Sequence, residues 1–186
     1  MINSREIKDL HPVVRKKCEE HIAACKSKGL CIIVTSTLRD DEYQASLYDQ
    51  GRTKPGSIVT NLNVTGAHGL GLAYDVVPVV KGIAIWNDNK LWSIIGEEGK
   101  KLGLVWGGSW KSFVDKPHFE LTDGLSSKQL RAGMRPKWFE LIIEPEHERI
   151  LKMKGVDVVK WRAFIEKNRD DSTGKYLPEL ILKISK

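Results

Sequence analysis

His68, Asp75, Asp115, His118 and Glu120 are the residues whose types and spacing could do chemistry. His68 lies in the glycine-rich turn Gly66-Ala67-His68-Gly69-Leu70-Gly71. Asp75 follows on a strand in which Ala73, Asp75 and Val77 share one face. His118 and Glu120 point to the same side of a later strand, and Asp115 precedes them across a proline turn. Two imidazoles and one carboxylate make a three-ligand set for catalytic zinc, whose fourth position stays open for water. A nearby carboxylate that is not a ligand can take the proton from that water.

Each of these residues also has a plain reading. An isolated histidine is more often a surface or satisfied core residue, and His11, His21 and His147 are read that way. The glycines beside His68 could simply make a turn, and Trp106-Gly107-Gly108 could simply pack. Asp75 is different. It sits between Ala73 and Val76-Val77, where a buried carboxylate is costly unless paired or metal-bound.

The elements that position these residues can be read from periodicity and punctuation. Residues 11–28 predict an amphipathic helix with Pro12 in its first turn, Val14, Cys18, Ile22 and Cys25 on one face, and Gly29 as its stop. Leu30 to Val34 is a short β-branched run that reads as a buried strand. A second helix starts near Asp40 or Asp41 and ends at Gly51, followed by a long loop from Arg52 to Gly66. Leu72 to Val80 predicts the strand carrying Asp75, turning at Lys81-Gly82 into Ile83 to Trp86. A helix capped within Asn87–Asn89 uses Leu91, Ile94, Ile95 and Leu102, and closes at Gly103. Leu104 to Trp106 and Pro117 to Leu121 complete a small α+β domain, an antiparallel sheet flanked by helices, over residues 1–133. Residues 134–186, with Trp138, Phe139, Trp161 and Phe164 among scattered apolar anchors, predict a helical C-terminal extension.

Composition bounds the partners. At 41% hydrophobic and 29% charged the chain is an ordinary globular sequence, and no apolar run approaches the roughly 18 residues that span a bilayer. Cys18, Cys25 and Cys31 form no disulfide framework and no CxxC pair, so they read as small apolar fillers in a reduced protein. The net charge is +6, and residues 121–186 contribute +4 of it with 14 basic and 10 acidic side chains. Such an excess favours an anionic partner: a wall polymer, an acidic lipid surface or nucleic acid. With no basic helix at base-reading spacing and no RNA-binding motif, nucleic acid is set aside. Met1 to Glu6 has no apolar stretch behind its basic residue, so no signal peptide is expected there.

The motifs together resemble a known family, the M15-type zinc peptidases of peptidoglycan. The likeness is closest to the bacteriophage endolysins and related L-alanyl-D-glutamate endopeptidases. Gly66 to Asp75 resembles the family pattern Ser-x-His-x-x-Gly-x-Ala-x-Asp, with Gly66 in place of the serine and Thr65 beside it. Trp106 to Trp110 and Asp115 to Glu120 resemble Trp-Gly-Gly-x-Trp…Asp-x-Pro-His-Phe-Glu. Thr35 to Arg39, Leu47-Tyr48 and Gly51 to Thr60 resemble the stretch that precedes the first ligand.

The resemblance covers about residues 30–133. It implies an M15/Hedgehog-like fold, Zn2+ held by His68, Asp75 and His118, and Asp115 as general base. Arg39 would bind a substrate carboxylate or steady the oxyanion, and Glu120 would hydrogen-bond a zinc-bound imidazole.

The implied reaction is hydrolysis of an amide in the peptide stem of peptidoglycan. Its expected target is the L-Ala–D-Glu bond, because Asp115 stands where the family's dipeptidases and carboxypeptidases typically have Glu. The alternatives are a D-Ala–D-Ala carboxypeptidase of the same fold and a non-catalytic wall-binding or phage structural module. The expected setting is a monomeric, bacteriolytic endolysin made in the cytoplasm and acting on the wall after release. Its basic C-terminal region would pack on the catalytic domain or contact an anionic wall or lipid surface.

Overall fold

The computed structural model describes residues 1–139, and the chain divides into Met1–Leu130 and Arg131–Lys186. The first unit carries every candidate ligand. Its helices are α1 (Pro12–Ser27), α2 (Asp41–Asp49), α3 (Asn89–Lys101) and α4 (Ser127–Arg131). Its strands are β1 (Cys31–Ser36), β2 (Ala73–Val80), β3 (Ile83–Ala84), β4 (Val105–Trp106) and β5 (His118–Glu120). They form one antiparallel sheet in the order β1-β2-β5-β4, with β3 paired to β2. The α+β expectation holds.

The core lies where α1 and α3 pack together and α1 packs on the sheet, around Val14, Leu72, Tyr74, Trp92, Ile95 and Phe119. His21 sits within it, fully buried. Tyr74 donates its hydroxyl proton to His21 Nδ1 at 2.9 Å, and His21 Nε2 donates to the Ile95 carbonyl at 2.9 Å. This is the satisfied core histidine the sequence suggests.

Local chemistry sets the elements that hold the site. Asp40 caps α2 by accepting from the Tyr43 amide, and Asp41 and Glu42 in the first turn suit the helix dipole. The N-terminal residues brace the corner between β1 and α2. Ser4 exchanges backbone bonds with Thr37 and Leu38, and Asp40 N–H donates to Ile2 O. Gly71, with φ +65°, ends the turn Ala67–Leu70 and starts the run into β2. A Cβ there would lie 2.9 Å from the His11 amide, so both conformation and space select glycine. Lys81 and Gly82, both at positive φ, make the tight hairpin into β3.

Three sequence expectations are corrected. The strand from Leu30 to Val34 is not buried throughout: β1 is a sheet edge, and Cys31 and Ile33 are exposed. An antiparallel edge with one wet face alternates, whereas a β-branched run alone does not reveal which face is wet. The inner face of α3 is Trp92, Ile95, Gly96 and Gly99, while Ile94 is exposed. Gly96 and Gly99 leave room for the rings of Trp106 and Phe119, so small residues mark the contact where the apolar period favours larger ones. In α1 the buried position is His21, with Ile22 only half-buried. Of the second unit, Arg131 closes α4, and residues 132–139 are non-helical, with turns at 132–133 and 137–138. Trp161, Phe164 and the rest of the expected helical extension lie outside the described residues.

Candidate metal centre

Sheet register brings the ligands together. Asp75 on β2 pairs with His118 on β5 and, across a register shift, with Ser36 on β1. The turn Ala67–Leu70 supplies His68 from above this row, and the Arg39 amide donates to the His68 carbonyl. His68 Nε2 lies 3.3 Å from Asp75 Oδ1, His118 Nδ1 lies 3.2 Å from the same oxygen, and the two nitrogens are 3.3 Å apart. Zinc bound tetrahedrally at about 2.0–2.1 Å requires ligand atoms about 3.3–3.4 Å apart. The triangle fits a zinc ion on geometry alone.

The outer hydrogen bonds fix which nitrogens point inward. His68 Nδ1 donates to the Thr37 carbonyl at 2.7 Å, leaving Nε2 to face the centre. His118 does the reverse: Nε2 donates to Glu120 Oε2 at 3.1 Å, leaving Nδ1 inward. Lone pairs from two imidazoles and a carboxylate therefore converge, which is a favourable arrangement only around a cation. His68, Asp75 and His118 form a group whose ligand atoms all lie within 4.8 Å of one another.

The electrostatics agree. Burial alone would raise the Asp75 pKa, but the charges of His68 and His118 and their hydrogen bonds hold it well below the usual carboxylate range. Burial lowers the His68 pKa against the opposing pull of Asp75, which favours the unprotonated ring that a metal ligand must be. Burial also works against charge on His118, yet hydrogen bonds to Asp75 and Glu120 outweigh it and push its pKa up to about 10. The pocket favours positive charge at the His118 Nδ1 position, which a metal ion supplies in place of a proton.

Asp115 lies in the same cleft, a cavity of about 700 Å³. Burial pushes its pKa up to about 6, nearer to neutrality than a free aspartate and so better matched to proton transfer. Its position depends on Gly107. An ideal Cβ there would lie 2.5 Å from the Asp115 carbonyl oxygen and 3.1 Å from His118 Cβ. The Trp106 indole N–H donates to the Lys116 carbonyl at 2.8 Å, tying the turn between Asp115 and His118 to β4. Trp110 closes over His118, ring centroids 5.1 Å apart. The Trp-Gly-Gly segment thus packs and, by packing, places the base.

Arg39 is buried beneath the ligands. Its guanidinium donates to Asp75 Oδ2 at 2.7 Å, Ser36 Oγ at 2.9 Å and Gln44 Oε1 at 3.0 Å. Gln44 in turn donates to Thr60 Oγ1 and the Leu62 carbonyl, fastening the long loop after α2 to the site. Glu120 meets His118 as expected, from the same sheet face.

A family model described as D-alanyl-D-alanine carboxypeptidase, one of the M15 peptidases, matches residues 61–121. The chain is 39% identical over 123 residues to the peptidoglycan L-alanyl-D-glutamate endopeptidase CwlK of Bacillus subtilis, covering 61% of this chain and 74% of that protein. The chain belongs to the M15 peptidases. It is also 29% identical over 103 residues to the L-alanyl-D-glutamate peptidase of Listeria phage A118, covering 51% of this chain. That alignment spans only about a third of the phage protein, 32%. The crystal structure of the Serratia marcescens L-Ala D-Glu endopeptidase ChiX shares the fold, with a TM-score of 0.50 at 24% identity over 63% of this chain and 84% of that one.

Within this M15 domain, all of His68, Asp75, Asp115, His118, Arg39 and Glu120 converge on one cleft. Sequence reasoning missed Thr37, which orients His68 through its carbonyl, and Gln44, which links Arg39 to the loop. Neither leaves a signal in composition. Thr37 acts through its backbone, and the spacing of Gln44 from Arg39 becomes meaningful only once α2 is seen to be capped by Asp40.

Proposed function

We propose that this M15 peptidase is a zinc-dependent endopeptidase that hydrolyses the L-Ala–D-Glu bond of the peptidoglycan stem peptide. The observation that carries the reading is the His68–Asp75–His118 triangle with a half-buried Asp115 in the same cleft, in a chain 39% identical to CwlK. Bound zinc supplies a Lewis acid that makes water nucleophilic near neutral pH and polarises the carbonyl under attack. Asp115 takes the proton from the attacking water and returns it to the leaving amine. Glu120 and Thr37 hold the two imidazoles in ligating orientation, and Arg39 holds Asp75. Trp110 shields His118 from bulk water.

The test is to incubate zinc-loaded protein with purified stem peptides and identify the cut by mass spectrometry. Products ending in L-Ala and beginning with D-Glu support the endopeptidase. Release of terminal D-Ala instead would make the chain the carboxypeptidase that the family model's description names. No cut with zinc bound would favour a wall-binding module.

The same reading extends to a lytic role on the bacterial wall, as an endolysin-like monomer acting after release from the cytoplasm. The similarity to a phage peptidase supports this setting, and the +4 charge of residues 121–186 supports contact with an anionic wall or lipid surface. Turbidity loss of wall suspensions, and its sensitivity to salt, tests both.

A further inference from the structure

Gly66 stands two residues before His68, at the position where the resembled pattern has serine. A side chain there would collide with Ser127 unless Ser127 moved. An ideal Cβ on Gly66 lies 2.5 Å from Ser127 Oγ and 2.9 Å from Ser127 Cβ. The space beside the Gly66 backbone that a Cβ would need is taken up by the Ser127 side chain and its hydroxyl, delivered from the first turn of α4.

Ser127 is not explained by helix capping. Ser126 performs that role, accepting from the Gln129 amide while Gln129 Oε1 accepts from the Ser126 amide, a reciprocal capping box. Among the described residues no hydrogen bond ends on the Ser127 hydroxyl, and the residue is half-buried in the wall of the cleft that holds His68 and Asp115. A hydroxyl offers one donor and two acceptor positions, and this one faces the space a substrate must enter.

We propose that Ser127 is a substrate-binding residue, its hydroxyl taking from α4 the place of the side chain that Gly66 lacks and hydrogen-bonding the backbone of the bound stem peptide. The inference rests on the peptidase reading for the identity of that peptide. Gly66 and Ser127 are then a matched pair, in which either position can carry the hydroxyl but not both.

The test measures binding of a synthetic stem peptide containing L-Ala–D-Glu by calorimetry, with KM and kcat, on zinc-loaded wild type, Ser127→Ala, Gly66→Ser and Gly66→Ser/Ser127→Gly. One neutral hydrogen bond predicts about 3–10-fold weaker binding and higher KM for Ser127→Ala, with zinc content and melting temperature unchanged. Gly66→Ser alone crowds Ser127 and weakens binding, and the double variant recovers to within about twofold of wild type. Wild-type affinity in Ser127→Ala, or a double variant no better than Gly66→Ser, overturns the pairing. So does a wild type that fails to bind the peptide. A wild type that binds without cutting refutes the peptidase reading and leaves the Ser127 comparison intact.

Discussion

Asp75 and His118 face each other in register across β2 and β5, and Asp75 Oδ1 lies 3.2 Å from His118 Nδ1. One sheet pairing thus sets two of the three ligands, while a short turn adds His68. Asp75 uses its second oxygen for Arg39, so one carboxylate joins the metal site to the buried guanidinium.

That division of labour predicts how Arg39 acts. If it orients Asp75, Arg39→Gln weakens zinc affinity by about 10–100-fold, as loss of an outer partner of a metal ligand does. Competition with a chromogenic chelator measures it. Unchanged affinity with a reduced kcat would instead give Arg39 the direct substrate role that the sequence resemblance implies.

Glu120 makes a parallel case on the other side. Glu120→Ala removes the acceptor for His118 Nε2 and lowers zinc affinity about tenfold or more, whereas Glu120→Gln retains an acceptor oxygen and loses less. Equal losses in the two variants would mean that charge, not ring orientation, is the Glu120 contribution.

Gly107→Ala tests the placement of the base. The added methyl meets the Asp115 carbonyl, a backbone atom with no rotamer to change, so the Asp115–His118 turn must shift. Overpacking of this kind costs about 1–3 kcal/mol, and a displacement near 1 Å lowers turnover by about 100-fold. Melting temperature and kcat on the same preparation decide it; wild-type turnover would show that the turn yields without moving Asp115.

His21 predicts a pH dependence of stability separate from the metal site. Its ordinary pKa is 6.5, and burial lowers it in the folded protein. Below about 6.5 the unfolded chain binds a proton that the folded chain excludes, so stability is full above that value and declines as pH falls through the folded pKa. His21→Gln removes this component. Urea midpoints at about pH 7.5 and about pH 5 should therefore differ less in the variant than in wild type. An equal pH effect in both would assign the acid sensitivity elsewhere.

Much of this site was legible before the fold. Asp75 announces itself as a carboxylate among apolar strand residues, where burial must be compensated, and His68, Asp115 and His118 join it through residue type, spacing and the motifs that resemble the M15 pattern. Helix limits were readable from Pro12, Asp40 and Asp88, which act locally. The wet face of β1, the glycine face of α3, and the roles of Thr37, Gln44 and Ser127 were not. Each depends on a neighbour far along the chain: β2 for β1, Trp106 for Gly96, His68 for Thr37, Gly66 for Ser127. Periodicity reports which residues share a face, not what will be packed against it.

The most direct test is to measure zinc content and stem-peptide turnover on one preparation of Asp115→Asn. If His68, Asp75 and His118 hold the metal and Asp115 only moves protons, the variant retains one zinc per chain while turnover falls by about 100- to 10,000-fold. Turnover near the wild-type rate, or zinc lost together with activity, would contradict the assignment.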